Sequence, residues 1–92
     1  LSEAIRDELG ARSQFLVGEC YLEQKMYDES MVEYVKVETL YAFPQWQSKA
    51  IYEMAEALDG KGDKTNAQVQ YKRLIQKFPD TPAATAAKGK LK

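Results

Sequence analysis

Two pairs of glutamates are the residues of this sequence best placed to do chemistry, Glu19 with Glu23 and Glu53 with Glu56. Residues three or four positions apart lie side by side on a helix, and two neighbouring carboxyl groups can act as an acid and a base in proton transfer. The same spacing is usual on solvated helix surfaces, where the carboxylates have no chemical role. The 92 residues include no histidine that could serve as a general base, so we predict that the chain is not an enzyme.

The other reactive residues do not form a recognisable site. Cys20 is the only cysteine, so the chain has no internal disulfide and no usual set of zinc ligands. Its apolar neighbours predict a buried structural thiol. The segment Gly60-Lys61-Gly62-Asp63 lacks the spacing of a phosphate-binding loop and is typical of a turn. We therefore expect neither a cofactor nor a metal.

Charge is divided unevenly along the chain, although the formal net charge is only −1. Residues 1–59 contain 12 acidic and 5 basic residues, whereas residues 60–92 contain 2 acidic and 8 basic residues. The basic end could attract an acidic partner. We favour a solvated helix face with a lysine-rich tail, because no aromatics alternate with these lysines as binding of single-stranded nucleic acid requires. No apolar run approaches the roughly 18 residues of a membrane span.

The sequence repeats its pattern after 37 residues. This shift places Gly18 on Ala55 and Tyr34 on Tyr71, and the same match of small and apolar positions holds for Val17 with Met54, Tyr21 with Leu58, Ser30 with Ala67, Val37 with Leu74 and Tyr41 with Phe78. A fixed internal period is the signature of an architecture in which similar units stack side by side. The sequence therefore predicts two equivalent units.

Each unit contains two stretches with the period of a helix. The first stripe is Gln14, Val17, Gly18 and Tyr21, repeated by Ile51, Met54, Ala55 and Leu58, and the second is Ser30, Tyr34, Val37 and Tyr41, repeated by Ala67, Tyr71, Leu74 and Phe78. Pro44 and Pro82 fit first helical positions, and Asp63 and Thr81 fit N-caps. We predict helices at about 2–24, 27–42, 44–60, 63–78 and 82–91 and no strands. Gly10 could break the first helix.

Gly18 is unusual inside a predicted helix, because glycine there costs about 1 kcal/mol relative to alanine. We expect Gly18 and the small Ser30 on the next helix to let two antiparallel backbones approach closely. Ala55 and Ala67 would do the same in the second unit. Burial of the surrounding apolar side chains, at about 25 cal/mol per Å², would outweigh the lost helix propensity.

These residues resemble a tetratricopeptide repeat, a family with units of about 34 residues and a Leu-Gly-x-x-Tyr core in the first helix. The residues that carry the resemblance are Val17, Gly18, Tyr21, Tyr27, Ser30, Tyr34 and Pro44 in the first unit, and Ala55, Leu58, Ala67, Tyr71 and Pro79 in the second. The family's early tryptophan is absent, since Gln14 and Ile51 occupy its positions. The closing segment, residues 74–83, is similar to units of bacterial cell-envelope proteins, including accessory proteins of the Tol–Pal system, which suggests a bacterial periplasm or cell envelope.

The resemblance implies a single all-α domain, an α-α superhelix of two helical hairpins followed by a capping helix. Unit one would cover about 11–46, unit two about 47–80 and the capping helix about 82–91. We expect the sequence to be part of a longer protein. The function that the resemblance implies is non-catalytic binding of a partner's peptide or helix in a concave groove.

The residues expected to face that groove are found by rotating away from the packing stripe. They are Arg12, Phe15, Glu19 and Glu23 in the first unit and Lys49, Tyr52, Glu53 and Glu56 in the second.

An aromatic residue beside a carboxylate suits a basic or amphipathic peptide. One subgroup of the family grips a terminal carboxylate with lysine and asparagine. Here only Lys49 could do so, and the two glutamates of its helix would oppose it.

Two other interpretations remain open. The chain could be a structural spacer or an oligomerisation segment of a longer repeat protein without its own ligand, with self-association as one form. It could instead use Lys88, Lys90 and Lys92 at its basic end to bind an acidic partner. Trp46, which follows Pro44, is expected to pack between the two units.

Overall fold

A computed structural model describes residues 7–92 as five α-helices, α1 (Glu8–Glu23), α2 (Tyr27–Leu40), α3 (Pro44–Lys61), α4 (Lys64–Lys77) and α5 (Pro82–Lys88). These residues contain no β-strand, so the predicted all-α fold is confirmed. None of the helices in this described range combines the length and apolar character needed to cross a bilayer.

The helices are arranged in two layers. Each helix packs against the next one in the chain, while α1 also contacts α3 and α3 also contacts α5. The odd-numbered helices therefore form one layer and α2 with α4 form the other. This is the arrangement of stacked helical hairpins that the internal repeat predicts.

Local sequence explains most of the helix starts. Pro44 and Pro82 occupy the first turns of α3 and α5, and the side chains of Asp63 and Thr81 accept hydrogen bonds from the backbone N–H groups of Asn66 and Ala84. Proline is tolerated there because the first N–H groups of a helix have no partner within it. These predicted caps are confirmed.

Two predicted helix ends are wrong. The first helix begins at Glu8, because the Asp7 side chain accepts the N–H of Gly10 and caps the helix, so Gly10 lies in the first turn and does not break it. The part of that prediction covering residues 2–6 lies outside the described residues. The last helix ends at Lys88 and not near residue 91, with Gly89 at its C-cap.

The turn inside each hairpin is built in the same way. Lys25 after α1 and Gly62 after α3 both have positive φ, at 61° and 93°. In each turn the following N–H bonds back to a carbonyl five residues earlier, from Met26 to Tyr21 and from Asp63 to Leu58. This is the Schellman pattern of helix termination. The two positions are 37 residues apart, so the repeat extends to the backbone of the turns.

The buried residues form two cores that share α3. One contains Phe15, Tyr34, Val37, Ala50 and Met54, and the other contains Ile51, Ala55, Ala67, Tyr71, Leu74, Ala84 and Ala87. The second-helix stripes are confirmed, with Phe78 only half-buried. In α1 the predicted stripe is partly wrong. Val17 is 44% exposed, whereas Ala11 and Phe15 are buried with Gly18.

Gly18 packs closely, as predicted, but the neighbour differs from the one expected. A Cβ added at Gly18 would lie 2.5 Å from Cε1 of Tyr34, and the three nearest atoms all belong to that ring. Ser30 is buried and donates its hydroxyl to the carbonyl of Tyr27 at 2.8 Å. The glycine therefore makes room for an aromatic ring.

A half-buried ion pair joins the two hairpins. The carboxylate of Glu38 in α2 accepts hydrogen bonds from both terminal nitrogens of Arg73 in α4, at 2.9 Å for Nη2, and from Nζ of Lys77 at 3.0 Å. Hydrogen bonding by Arg73 lowers the pKa of Glu38, although partial burial opposes this effect. A bidentate arginine–carboxylate contact is among the stronger polar contacts in proteins.

Candidate functional site

Three of the predicted groove residues come together on the layer of α1 and α3. Glu19 from α1 lies near Glu53 of α3, and Glu56, one turn further along α3, adds its charge. All three side chains are partly exposed. Among residues 7–92, no lysine or arginine forms an ion pair with any of them. We call these three residues the carboxylate cluster.

The buried hydroxyl of Tyr34 contacts this cluster from the core side. Tyr34 is fully buried, and its hydroxyl donates a hydrogen bond to Oε1 of Glu53 at 2.7 Å. Burial raises the pKa of Tyr34, and the bond to Glu53 raises it further, so the phenol remains a donor. The ring can occupy this place because Gly18 presents no side chain to it. The small residue of the packing stripe thus positions a polar group of the site.

The protonation of Glu53 is unusual. Partial burial raises its pKa to about 7, against the hydrogen bond from Tyr34 and together with repulsion from Glu19 and Glu56. Burial disfavours a charged carboxylate, and a like charge nearby does the same. Near neutral pH Glu53 is therefore protonated for part of the time. Burial also raises the pKa of Glu56, while the charge of Lys90 opposes this.

The second unit has a different version of the same arrangement. The hydroxyl of Tyr71 lies 3.4 Å from Oδ2 of Asp59 on α3, and burial raises the pKa of Tyr71. The shift of 37 residues places Glu19 on Glu56 and Glu53 on Lys90. The two acids Glu19 and Glu53 thus correspond to an acid and a base, Glu56 and Lys90, one repeat later. The negative charge is therefore concentrated where α1 meets α3.

The two predicted aromatic members of the groove lie deeper than expected. Phe15 is only 4% exposed, and its ring packs 5.6 Å from Tyr34 and 5.5 Å from Trp46. It belongs to the core, so the expectation that it faces a groove is wrong. Tyr52 is half-buried and packs edge-on against Tyr71 at 5.6 Å. Only part of its ring can meet a partner.

The two predicted basic residues, Lys49 and Arg12, lie beside Trp46. Nζ of Lys49 lies 4.7 Å above the Trp46 ring, and Arg12 shares a shallow pocket with Trp46, Glu8 and Leu9. The indole N–H of Trp46 lies 3.2 Å from Oε2 of Glu8. Trp46 thus packs between α1 and α3, as expected. Glu23 is exposed at the end of α1.

Cys20 differs from its prediction. The thiol is exposed and not buried, because the buried positions of α1 are Ala11, Phe15 and Gly18. No group of three histidine, cysteine, aspartate or glutamate side chains within the described residues is arranged to hold a metal ion.

Sequence reasoning missed two members of the site, the hydroxyl of Tyr34 and the amine of Lys90. The stripe predicts only a packing role for Tyr34, although the recurrence of the tyrosine as Tyr71 indicates that its hydroxyl also has a place in both units. Lys90 was assigned to the tail, although the 37-residue shift pairs it with Glu53. Comparing polar as well as apolar positions between the units would have found both.

Comparison with known proteins supports the repeat interpretation. Residues 49–81 match the family model described as Tetratricopeptide repeat. No curated protein and no solved structure matches the chain, so the resemblance to bacterial cell-envelope proteins stays a prediction. The matched segment contains most of α3, all of α4 and the turn before α5. The family suggests a protein–protein interaction module and is in general not catalytic. Residues 49–81 therefore have the sequence pattern of a tetratricopeptide repeat.

Proposed function

We propose that the chain is a non-catalytic module that binds a basic or amphipathic segment of a partner protein on the layer of α1 and α3, with the carboxylate cluster as the centre of the contact. The observation that carries this proposal is a group of three partly buried acids, Glu19, Glu53 and Glu56, with which no lysine or arginine of residues 7–92 forms an ion pair. Partly buried acids that lack a counter-charge are costly alone. A lysine or arginine side chain supplied by a partner would relieve that cost.

In this proposal, binding of a partner's lysine or arginine side chain displaces the proton from Glu53. In the free protein Glu53 is protonated for part of the time, because its pKa is about 7. A positive side chain placed between Glu19 and Glu53 favours the charged forms of both carboxylates. The hydrogen bond from Tyr34 stays in place in either state, since a phenol can donate to a carboxyl oxygen whether or not that carboxyl is charged. Tyr52, Glu23, Lys49 and Arg12 would border the contact.

The test uses defined peptides and not an unknown partner. Alanine-rich helical peptides of equal length, with zero, one or two lysines on one face, are titrated against the isotope-labelled chain, and side-chain carboxyl shifts are followed by nuclear magnetic resonance. We expect the peptide with lysines to shift the signals of Glu19, Glu53 and Glu56. The Glu53→Gln variant should weaken binding about tenfold, the loss typical of one charge-assisted contact of about 1.4 kcal/mol.

A matched control separates site from overall charge. Glu29 is exposed on α2, so Glu29→Gln removes the same charge from another surface and should leave binding unchanged. If both variants weaken binding equally, or if the shifts fall on the lysine-rich end, the attraction is general and the proposed site is wrong.

A second role is favoured by one observation on α1. An open pocket of about 430 Å³ lies beside Leu9, Gly10, Ser13, Val17 and Tyr41. Shifted by 37 residues, Val17 becomes Met54, which is buried under α2. The pocket is thus the place where a further helix of the α2 type would pack, as in a spacer within a longer array. This role predicts that Glu53→Gln leaves partner capture unchanged.

A further inference from the structure

An apolar strip runs along the outer side of α2, and Met31 at its edge also packs against the core that contains Phe15 and Tyr34. Val32 is 54% exposed and Val35 is 43% exposed, and Met31 lies half-buried beside them. The buried residues of α2 are Ser30, Tyr34 and Val37, on the other side of the helix. Asp28 and Lys36 complete the lining of the shallow groove formed here. We call this group of five residues the α2 strip.

The charges at the ends of the strip are arranged symmetrically. Asp28, Val32 and Lys36 are four residues apart and lie in one row along the helix. Val32 is the midpoint, and the two charges stand about 12 Å apart along the axis, given 1.5 Å per residue. If a second α2 lies antiparallel with its own Val32 opposite, each aspartate is level with the lysine of the other helix. The strip is therefore complementary to itself.

We propose that the α2 strip is the contact of a two-fold symmetric homodimer, in which α2 of one chain packs antiparallel on α2 of a second copy. An isologous contact uses the same patch on both subunits, which is the property the row of acid, valine and base possesses. The valines on either side of the axis would be removed from water, and two ion pairs would fix the register. This proposal does not depend on the binding site of α1 and α3.

The charged ends already have partners within the chain, but these contacts are weak. Asp28 pairs with Lys61 at 2.5 Å, and Lys36 pairs with Glu33 at 3.3 Å. The side chain of Asp28 is 72% exposed in its pair. Exposed pairs of this kind contribute little to stability, so exchange for a pair across the dimer costs little. Asp28 can also keep Lys61 while it meets the second copy.

The size of the strip sets the strength of the contact. α2 has 14 residues, which is about 21 Å of helix at 1.5 Å per residue. A contact of this length falls below the roughly 1,200 Å² of total buried surface typical of stable interfaces. We therefore expect a dissociation constant of about 10⁻⁴ M, in the range of transient contacts.

Sedimentation equilibrium of the full chain from about 10 μM to 1 mM, a range that brackets this constant, tests the proposal. The wild type should follow a monomer–dimer equilibrium. Val32→Glu should weaken it at least tenfold, since two carboxylates would meet at the axis. Asp28→Lys should also weaken it, because each new lysine faces Lys36 of the second copy. The double variant Asp28→Lys with Lys36→Asp should restore the dimer by exchanging the two charges.

The matched control is Val17→Glu, since Val17 is 44% exposed on the other apolar surface, on α1. It should leave the equilibrium unchanged. A wild type that stays monomeric at 1 mM overturns the proposal, and so does loss of the dimer in Val17→Glu instead of Val32→Glu. Failure of the double variant to recover overturns the symmetric pairing. Circular dichroism confirms that each variant is folded before it is compared.

Discussion

Tyr34 and Glu53 are joined by a hydrogen bond of 2.7 Å between the phenol of α2 and the carboxyl group of α3. The ring of Tyr34 lies in the core of the first hairpin, while Glu53 is part of the carboxylate cluster on the surface. Packing and charge therefore depend on one contact. Gly18 is part of it, because the ring occupies the space that a side chain there would need.

Gly18→Ala should destabilise the chain, because the new Cβ would lie 2.5 Å from the Tyr34 ring. Overpacking of this kind costs about 1–3 kcal/mol, and the gain of about 1 kcal/mol in helix propensity offsets only part of it. We expect a net loss of up to about 2 kcal/mol in the free energy of unfolding, measured by urea denaturation. Displacement of the ring should also alter the carboxyl signal of Glu53.

Gly89→Ala is the control for that substitution. A Cβ at Gly89 would meet only the carbonyl of Ala86, at 3.4 Å, and the backbone there is right-handed. Stability should change by less than about 0.5 kcal/mol. Equal losses at both glycines would mean that the ring of Tyr34 is not what constrains Gly18.

Lys25→Gly should stabilise the chain. Lys25 has φ of 61°, and a left-handed backbone costs a residue with a side chain about 1–2 kcal/mol. The greater entropy of glycine in the unfolded state reduces the gain, so we expect about 0.5–1 kcal/mol. Thermal unfolding should show a higher midpoint. Gly62→Ala makes the reverse change in the equivalent turn, where φ is 93°, and should lower it. A Lys25→Gly variant no more stable than wild type would contradict this account of the turns.

Arg73→Met should weaken the connection between the hairpins. It removes the bidentate contact to Glu38 and leaves that half-buried carboxylate with Lys77 alone. We expect a loss of about 1–2 kcal/mol at pH 7, and Glu38→Gln in the same background should cost little more. Lys61→Met, which removes the exposed pair with Asp28, should have no measurable effect.

The effect of Arg73→Met should depend on pH. Arg73 lowers the pKa of Glu38 in the folded chain, so its contribution is present above the ordinary value for glutamate and is lost as the pH falls through the lower, folded value. The difference in stability between wild type and Arg73→Met should therefore shrink below about pH 4. A difference that stays constant from pH 7 to pH 3 would show that the arginine acts by packing alone.

Glu53→Gln should have the opposite dependence on pH. The folded pKa of Glu53 is about 7, which is above its unfolded value, so the folded state binds more protons and stability falls as the pH rises from about 4.5 to 7. A glutamine resembles the protonated acid and can still accept from Tyr34. The variant should be more stable than wild type at pH 8 by about 1 kcal/mol after allowance for solvent screening, and similar at pH 4. Equal pH profiles would exclude Glu53 as the titrating group.

The sequence predicted the helices and the second-helix stripes because these depend on local periodicity. Tyr34 and Tyr71 occupy equivalent places in two turns of the same pattern, so each supports the other. The stripe of α1 failed because its burial depends on distant residues. Phe15 is covered by Trp46, which is 31 positions away. The prediction that Cys20 is buried is wrong for the same reason, because apolar neighbours in the sequence do not ensure that another helix covers the residue.

Half of the site could also be anticipated. The helical spacing of Glu53 and Glu56 on α3, and the equivalent position of Glu19, placed three acids on one surface. Which side chains reach them depends on how α2 crosses α3 and on where the chain runs after α5. The contributions of Tyr34 and Lys90 depend on this three-dimensional arrangement. The period of the sequence does not determine it.

The use of α3 by both cores has a consequence for how the molecule opens. Ala50 and Met54 belong to the first core, while Ile51 and Ala55 on the adjoining side belong to the second. Repeat proteins can unfold from either end because each unit contacts only its neighbours. Here, unfolding of α3 would disrupt both cores. Its backbone amides should therefore exchange with heavy water only on global unfolding, whereas those of α5 exchange first.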